Sequence, residues 1–292
     1  MARPRVVSAK ALGGSLRLLY VTDLHGDVAK YERAFNVAVR QGVAAVVNGG
    51  DLLPRRGGAA GQETFLREFI EGHLGEYDGT GIEYVACLGN DDIRLLDEVF
   101  DEVCSRHESA TNLAQRKYEL GGVELVGMNW VVDYPFRLKD RCRMDNDDYV
   151  FQAQFGSGLL SSPDEFIELE DWFAYARTLP TIEEELRALV RPSDMTSAIY
   201  VMHMPPSGLG LDSCGSGECV GSASVREFIE REQPRMTLHG HIHESPDVSS
   251  SWRAVVGDTT CVQPGQSPDG GPLTYVLIDT GDWSCERRLE TE

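Results

Sequence analysis

The chain has 292 residues, enough to bury a sizeable core, and its 41% hydrophobic and 25% charged content is ordinary for a globular protein. Forty-seven Asp and Glu outnumber 27 Lys and Arg, a formal charge of −20, and this argues against nucleic acid as a partner, because polyanion binders need basic surfaces that displace counterions. No uninterrupted apolar run is long enough to span a membrane, and Met1–Leu16, basic but only weakly apolar, makes a poor secretory signal.

Taken in chain order, Leu16–Val21 reads as a strand, and a helix is expected from Val28 to about Arg40 with Ala34, Val37 and Ala38 on one side. Ala44–Val47 is a second apolar run, ending in Asn48-Gly49-Gly50-Asp51. Glu83–Leu88 runs into Gly89-Asn90-Asp91-Asp92, where Asp92 is expected to cap a following helix, and Val123–Val126 begins another strand. Strands alternating with helical periods predict a layered α/β unit, with polar motifs at the C-terminal ends of strands where open α/β sheets place their sites.

From Tyr134 to Leu160 no steady period holds. Phe166, Leu169, Phe173 and Ala176 then make a helical stripe, and Thr181-Ile182-Glu183-Glu184 has the form of a capping box. Ser197–Met202 leads to His203, Ser207–Gly221 is a flexible loop, and Met236–Leu238 leads to His239. Trp252–Val256, Thr260–Val262 and Leu273–Ile278 form a final strand-rich stretch. One domain over residues 1–292 is expected, with an insertion at about 132–192 that either covers the site or decorates the periphery. The seven cysteines lack tight zinc-type pairing. Cys214 and Cys219 share a loop and could meet, but free thiols and a cytoplasmic setting are the expectation.

Five of the seven histidines lie within or beside five polar clusters at these strand ends. Asp23-Leu24-His25 places two ligand types on one side of the backbone if the strand continues. Gly50-Asp51 and Gly89-Asn90 add a carboxylate and a neutral amide oxygen beside glycines that permit close backbone approach. His203 ends an apolar run. His239-Gly240-His241-Ile242-His243 puts three imidazoles on one side if extended, a density that core packing rarely needs. Mixed imidazole and carboxylate donors suit zinc, manganese and iron ions.

With these blocks in this order, the sequence resembles the calcineurin-like metallophosphoesterase superfamily: Asp23-Leu24-His25, Gly50-Asp51, Gly89-Asn90-Asp91-Asp92, His203 and Gly240-His241-Ile242-His243, spanning roughly residues 16–245. The resemblance implies a four-layer α/β-β/α sandwich with two divalent metal ions, manganese or iron favoured and zinc admitted. It implies that Asp23, His25 and His243 hold the first ion, that Asp51 bridges, and that Asn90, His203 and His241 complete the second. One carboxylate can hold two ions roughly 3.5–4 Å apart. His239 is expected behind the ligands, orienting one of them or its loop.

Many members carry a catalytic histidine directly after the Asn of the GN block; this chain has Asp91 there, so the resemblance is to a branch without that histidine. The implied activity is hydrolysis of a small phosphate ester, phosphodiesters favoured, with Asp51, Asn90, His203 and Asp91 as the residues expected to act. Net negative charge does not oppose such a substrate, because bound cations reverse the local field. Arg94 and Arg137 are candidates to approach phosphate, with a plain surface position the readier expectation for each. The alternatives are a small-molecule phosphomonoesterase or a non-catalytic metal-binding interaction module. A protein Ser/Thr phosphatase is disfavoured by Asp91 and the acidic insertions, a nuclease by the missing basic track. No membrane partner is expected; a homo-oligomer is compatible.

Overall fold

The computed structural model describes residues 15–163 and 166–291, so the weak N-terminal signal reading falls almost wholly outside the described residues. Two six-stranded sheets carry the molecule. In the first, the spatial order is Ser284–Glu290, Leu273–Asp279, Arg17–Val21, Ala45–Asn48, Glu83–Ala86 and Ala110–Asn112. The last four run parallel, as the register Leu18↔Ala45 and Ala45↔Glu83 shows. In the second, the order is Arg253–Val256, Thr259–Val262, Met236–Leu238, Ala198–Met202, Val123–Met128 and Lys117–Leu120. Its central strands are likewise parallel.

Period-two alternation along the strands assigns each side chain to a layer. Leu18, Tyr20, Ala45, Val47 and Val85 of the first sheet pack on Leu125, Ile199, Val201 and Leu238 of the second, so one core lies between the sheets. The neighbouring residues face outward. Leu19, Val21 and Val46 meet the helices Val28–Gln41, Glu71–Tyr77 and Asp97–Ser105, whereas Val126, Tyr200 and Met202 meet Trp172–Ala176, Ile182–Ala188 and Ala223–Glu232. Three cores between two helical and two sheet layers make the four-layer α/β-β/α sandwich.

The helix Val28–Gln41 starts where the Asp27 carboxylate accepts from the Lys30 amide and stops at Gly42, whose φ of 60° turns the chain left-handed. The capping box at Thr181 forms: its hydroxyl accepts from the Glu184 amide at 3.2 Å, and the Glu184 carboxylate accepts from the Thr181 amide at 2.9 Å. The expected helical stripe from Phe166 does not hold. Ile167–Glu168 pairs instead with Leu159–Leu160, the Leu169 amide donates to the Gly158 carbonyl at 2.8 Å, and the helix begins only at Trp172, capped by Asp171. Pairing with a distant segment overrides a local apolar period there. The edge strands Lys117–Leu120 and Ser284–Glu290 carry little apolar signal because they are partly exposed.

Within the stretch 132–192 the chain is organised around a buried ion pair. Lys139 Nζ donates to Asp133 Oδ1 at 2.7 Å, both side chains being wholly buried, and Trp172 Nε1 donates to the same oxygen at 2.9 Å. Gln154 donates to the other carboxylate oxygen at 2.9 Å. Removing one partner of such a pair strands a buried charge. Asp133→Ala is therefore expected to lower stability by about 3–5 kcal/mol, read as a shift in the urea midpoint; an unchanged midpoint would show that this network contributes nothing.

Candidate metal centre

The parallel strands of both sheets deliver their C-terminal ends to one place. Asp23 and His25 follow Arg17–Val21, Asp51 follows Ala45–Asn48, Asn90 follows Glu83–Ala86, His203 follows Ala198–Met202, and His241 and His243 follow Met236–Leu238. All seven side chains meet there. Donor atoms of Asp23, His25, Asp51 and His243 lie within 4.8 Å of one another. Beside them, Asn90 Oδ1 lies 2.9 Å from His203 Nε2 and 2.6 Å from His241 Nδ1. Asp51 Oδ2 stands between the two groups, 3.6 Å from His25 Nε2 and 3.5 Å from His203 Nε2.

The convergence is not that of extended strands. The first strand ends at Val21, and Asp23, His25, Asp51 and His241 have φ of 58°, 46°, 53° and 73°, in the left-handed region. Non-glycine residues held there store strain, which persists when surrounding bonds over-determine the backbone. Here the Asp23 and His25 amides donate to the Gly50 and Asp51 carbonyls, both at 2.9 Å. Glycine is required where the loops touch. A Cβ on Gly50, at φ 123°, would come within 2.5 Å of His203 Nδ1, and one on Gly89 within 2.2 Å of Asp51 Oδ1.

His239 stays outside the cluster. It is wholly buried, with Nδ1 3.0 Å from the Met202 and Met204 carbonyls and Nε2 2.8 Å from the Thr237 hydroxyl. Its ring braces the chain on both sides of His203. Asp92 does not cap a helix. It accepts from the amides of Gly89 at 2.7 Å, Leu52 at 2.9 Å and Leu53 at 2.7 Å, tying the Asp51 and Asn90 loops together. Arg141, also buried, donates to the Gly89 carbonyl at 2.8 Å.

The site is electron-rich and largely buried. Burial alone would raise the Asp23 carboxyl, but His243 and His203 draw it down to about 2. Asp51 is likewise held well below the usual carboxylate range, burial being outweighed by His203. Burial lowers His25 to about 4 and His241 to about 3, so both rings are neutral and keep a lone pair. His203 goes the other way: against burial, Asp51 and Asp23 raise it to about 9. Its Nδ1–H donates to the Gly49 carbonyl at 2.9 Å, which leaves Nε2 facing the Asn90 and Asp51 oxygens.

These residues fit divalent cations. Two imidazole nitrogens, His25 Nε2 and His243 Nε2, face each other at 3.0 Å beside two buried carboxylates, and Asp23 Oδ2 and His25 Nδ1 have no hydrogen-bond partner. Buried lone pairs gathered so closely, some of them with no donor at all, are costly unless a cation collects them.

Sequence reasoning missed Arg55, whose only signal was its place four residues after Asp51. Its Nε donates to Asp91 Oδ2 at 2.8 Å, and its Nη2 lies 2.8 Å from His25 Nε2 and 3.2 Å from His243 Nε2. Arg94 and Arg137, for which a surface place was the readier expectation than contact with phosphate, make no such contact: Arg94 sits over the Trp130 ring at 5.2 Å, and Arg137 pairs with Glu168 at 3.6 Å. An open cleft of about 610 Å³ adjoins His25 and Arg55, with Asp27, Arg56 and Asp269 on its walls.

A metal-gathering cluster at the facing strand ends of an α/β-β/α sandwich defines a metal-dependent phosphoesterase. Residues 16–245 match the family model for calcineurin-like phosphoesterases, and the chain belongs to that family. Solved structures share its fold. The protein TT1561 of Thermus thermophilus aligns at 16% identity and a TM-score of 0.56 over 94% of this chain and 99% of its own. A dimetal phosphatase from Danio rerio aligns at 11% identity and a TM-score of 0.50 over 94% of this chain and 98% of its own. No curated protein matches the chain. Among the described residues, no helix is long and apolar enough to cross a membrane.

Proposed function

We propose that the protein is a binuclear phosphoesterase acting on small phosphate esters, with phosphodiesters preferred. The observation that carries this reading is Asp51, a buried carboxylate set between the Asp23, His25 and His243 group and the Asn90, His203 and His241 group. The first trio with Asp51 would hold one divalent ion and the second trio with Asp51 the other, manganese or iron favoured and zinc admitted. Bound there, the ions would supply positive charge against the phosphoryl oxygens and acidify the attacking water.

The chain's own groups do the rest. Arg55 presents a planar fork at the rim of the cluster, suited to two phosphoryl oxygens at once. Asp91 stands where a catalytic histidine is common in the family, and we read the chain as one of a branch without it. Burial and Asp51 push the Asp91 carboxyl up, against Arg55. Its oxygens nonetheless accept from Arg55 Nε and from the Asn90 amide, at 2.8 and 3.0 Å, the bonding of a carboxylate. A carboxylate cannot protonate a leaving oxygen, which favours diesters whose leaving groups depart unaided. We read residues 132–192 as an insertion within one domain that borders the site through Tyr134, and the seven free thiols as in keeping with a cytoplasmic setting.

The test is turnover of matched mono- and diesters by metal-stripped protein reloaded separately with Mn²⁺, Fe²⁺, Zn²⁺ and Mg²⁺, with metal counted per chain. Two ions per chain and faster diester cleavage are expected. In the same assay Arg55→Ala should raise KM roughly tenfold or more, from the loss of charge-assisted bonds. One ion per chain at full activity would overturn the binuclear reading, and faster monoester cleavage would overturn the diester preference.

A further inference from the structure

Beyond the metal cluster, a line of aromatic rings leads outward from His241. The Tyr134 ring lies 5.7 Å from the His241 ring, Phe136 lies 5.9 Å from Tyr134, and Phe155 meets Phe136 edge-on at 5.4 Å. Tyr134 is fixed at the inner end. Its hydroxyl donates to the Leu138 carbonyl at 2.8 Å and lies 3.5 Å from the Asn90 amide nitrogen, and the Lys139 ammonium sits 5.0 Å from the ring centroid. The outer two rings are open to water, Phe136 62% and Phe155 71% exposed. They are nonetheless held on paired backbone: the Phe155 amide donates to the Pro135 carbonyl at 2.8 Å, and the Leu159 amide to the Arg137 carbonyl at 2.7 Å.

Scattered exposed apolar residues need no explanation, but two rings in contact in series, linked through Tyr134 to a side chain of the metal cluster, are not scattered. Rings on ordered backbone lose little freedom on binding, and they offer both π-face and edge to a flat partner. We propose that Phe136 and Phe155 are specificity-determining residues that bind a planar aromatic group esterified to the phosphate. This deepens the phosphoesterase reading above and rests on it: phosphate at the cluster, with the aromatic group of the ester lying along Tyr134, Phe136 and Phe155.

Phosphonates, which resist hydrolysis, test this without requiring turnover. Calorimetry on the metal-loaded full chain would compare 2-phenylethylphosphonate, 2-cyclohexylethylphosphonate and ethylphosphonate. The phenyl compound is expected to bind about tenfold more tightly than the ethyl compound, as one good aromatic contact allows, and more tightly than the cyclohexyl compound. In Phe136→Ala and Phe155→Ala the phenyl-to-ethyl affinity ratio should fall towards one. Val150→Ala, at an 84% exposed position of the same stretch, should keep the wild-type ratio. Both phenylalanines lie at the surface, so neither substitution opens the core. Equal binding of phenyl and ethyl compounds, equal binding of phenyl and cyclohexyl compounds, or a ratio that survives both substitutions would each overturn the inference. If metal-loaded protein binds none of the three, the phosphate site itself fails and the inference falls with it. A change of oligomeric mass in Phe136→Ala would reassign the rings to contact between copies and overturn it too.

Discussion

Replacing Asp51 by Asn should lower turnover of a phosphate ester by on the order of 10³ to 10⁴, because a shared ligand contributes several kcal/mol of charge stabilisation at each ion it holds. The side chain is 1% exposed and keeps the same volume on substitution. Its Oδ1 accepts the Asp91 amide at 2.8 Å, a bond that an Asn carbonyl oxygen can still accept. What the substitution removes is the charge of Oδ2, the atom that faces both His25 and His203. The amide that replaces it would turn N–H donors towards the ligand nitrogens. The expected result is a folded protein by circular dichroism, holding one metal ion or none against the two proposed for the wild type. Turnover within tenfold of wild type, with two ions still bound, would remove Asp51 from the bridging position.

The second large effect is on stability, at a residue that touches no expected ligand atom. Asp92 is wholly buried, and its two oxygens collect three backbone N–H groups from two separate loops. Burial, and then the charge of Asp51, push this carboxyl up to about 7, while those N–H donors pull it down. In Asp92→Ala the three buried amides lose their partner, at roughly 1–3 kcal/mol each, so about 6 kcal/mol in all if none is re-satisfied. That is a large fraction of the stability of a typical domain. Because the freed loops carry Asp51 and Asn90, metal affinity should fall as well. Urea unfolding and a metal titration check the two effects separately. A midpoint shift below about 1 kcal/mol, the cost of a single lost hydrogen bond, would mean that the loops are held from elsewhere. Unchanged metal affinity would mean that Asp92 does not position the ligands. Asp92→Asn should recover only part of either loss, since its amide nitrogen would meet N–H donors.

Much of the framework was legible in the order of residues. Leu16–Val21, Ala44–Val47 and Ser197–Met202 read as strands because they are short continuous apolar runs, the pattern of strands buried on both faces. Which side chain faces which layer is set by the packing of the sheets. The seven residues Asp23, His25, Asp51, Asn90, His203, His241 and His243 were found because each follows an apolar run. In parallel sheets those run ends gather at one edge.

Sequence by itself thus determined a layered α/β unit and the set of side chains at its strand ends, which follow from apolar runs and what ends them. The four-layer form was implied only by the resemblance of the ordered motifs. Tertiary structure decided everything that depends on contact between distant segments. The backbone conformation of Asp23, His25, Asp51 and His241 is left-handed, because hydrogen bonds between neighbouring loops set it against local preference. Asp92, which by position could have capped a helix, finds three amides from two loops instead. His239 shares a motif with His241 and His243 but turns into the core, where backbone carbonyls and a hydroxyl satisfy it. Arg55 reaches the cluster, whereas Arg94 and Arg137 do not. Long flexible side chains and short-range hydrogen bonds respond to distances of a few ångströms between segments far apart in the chain, and that information exists only once the sheets have packed.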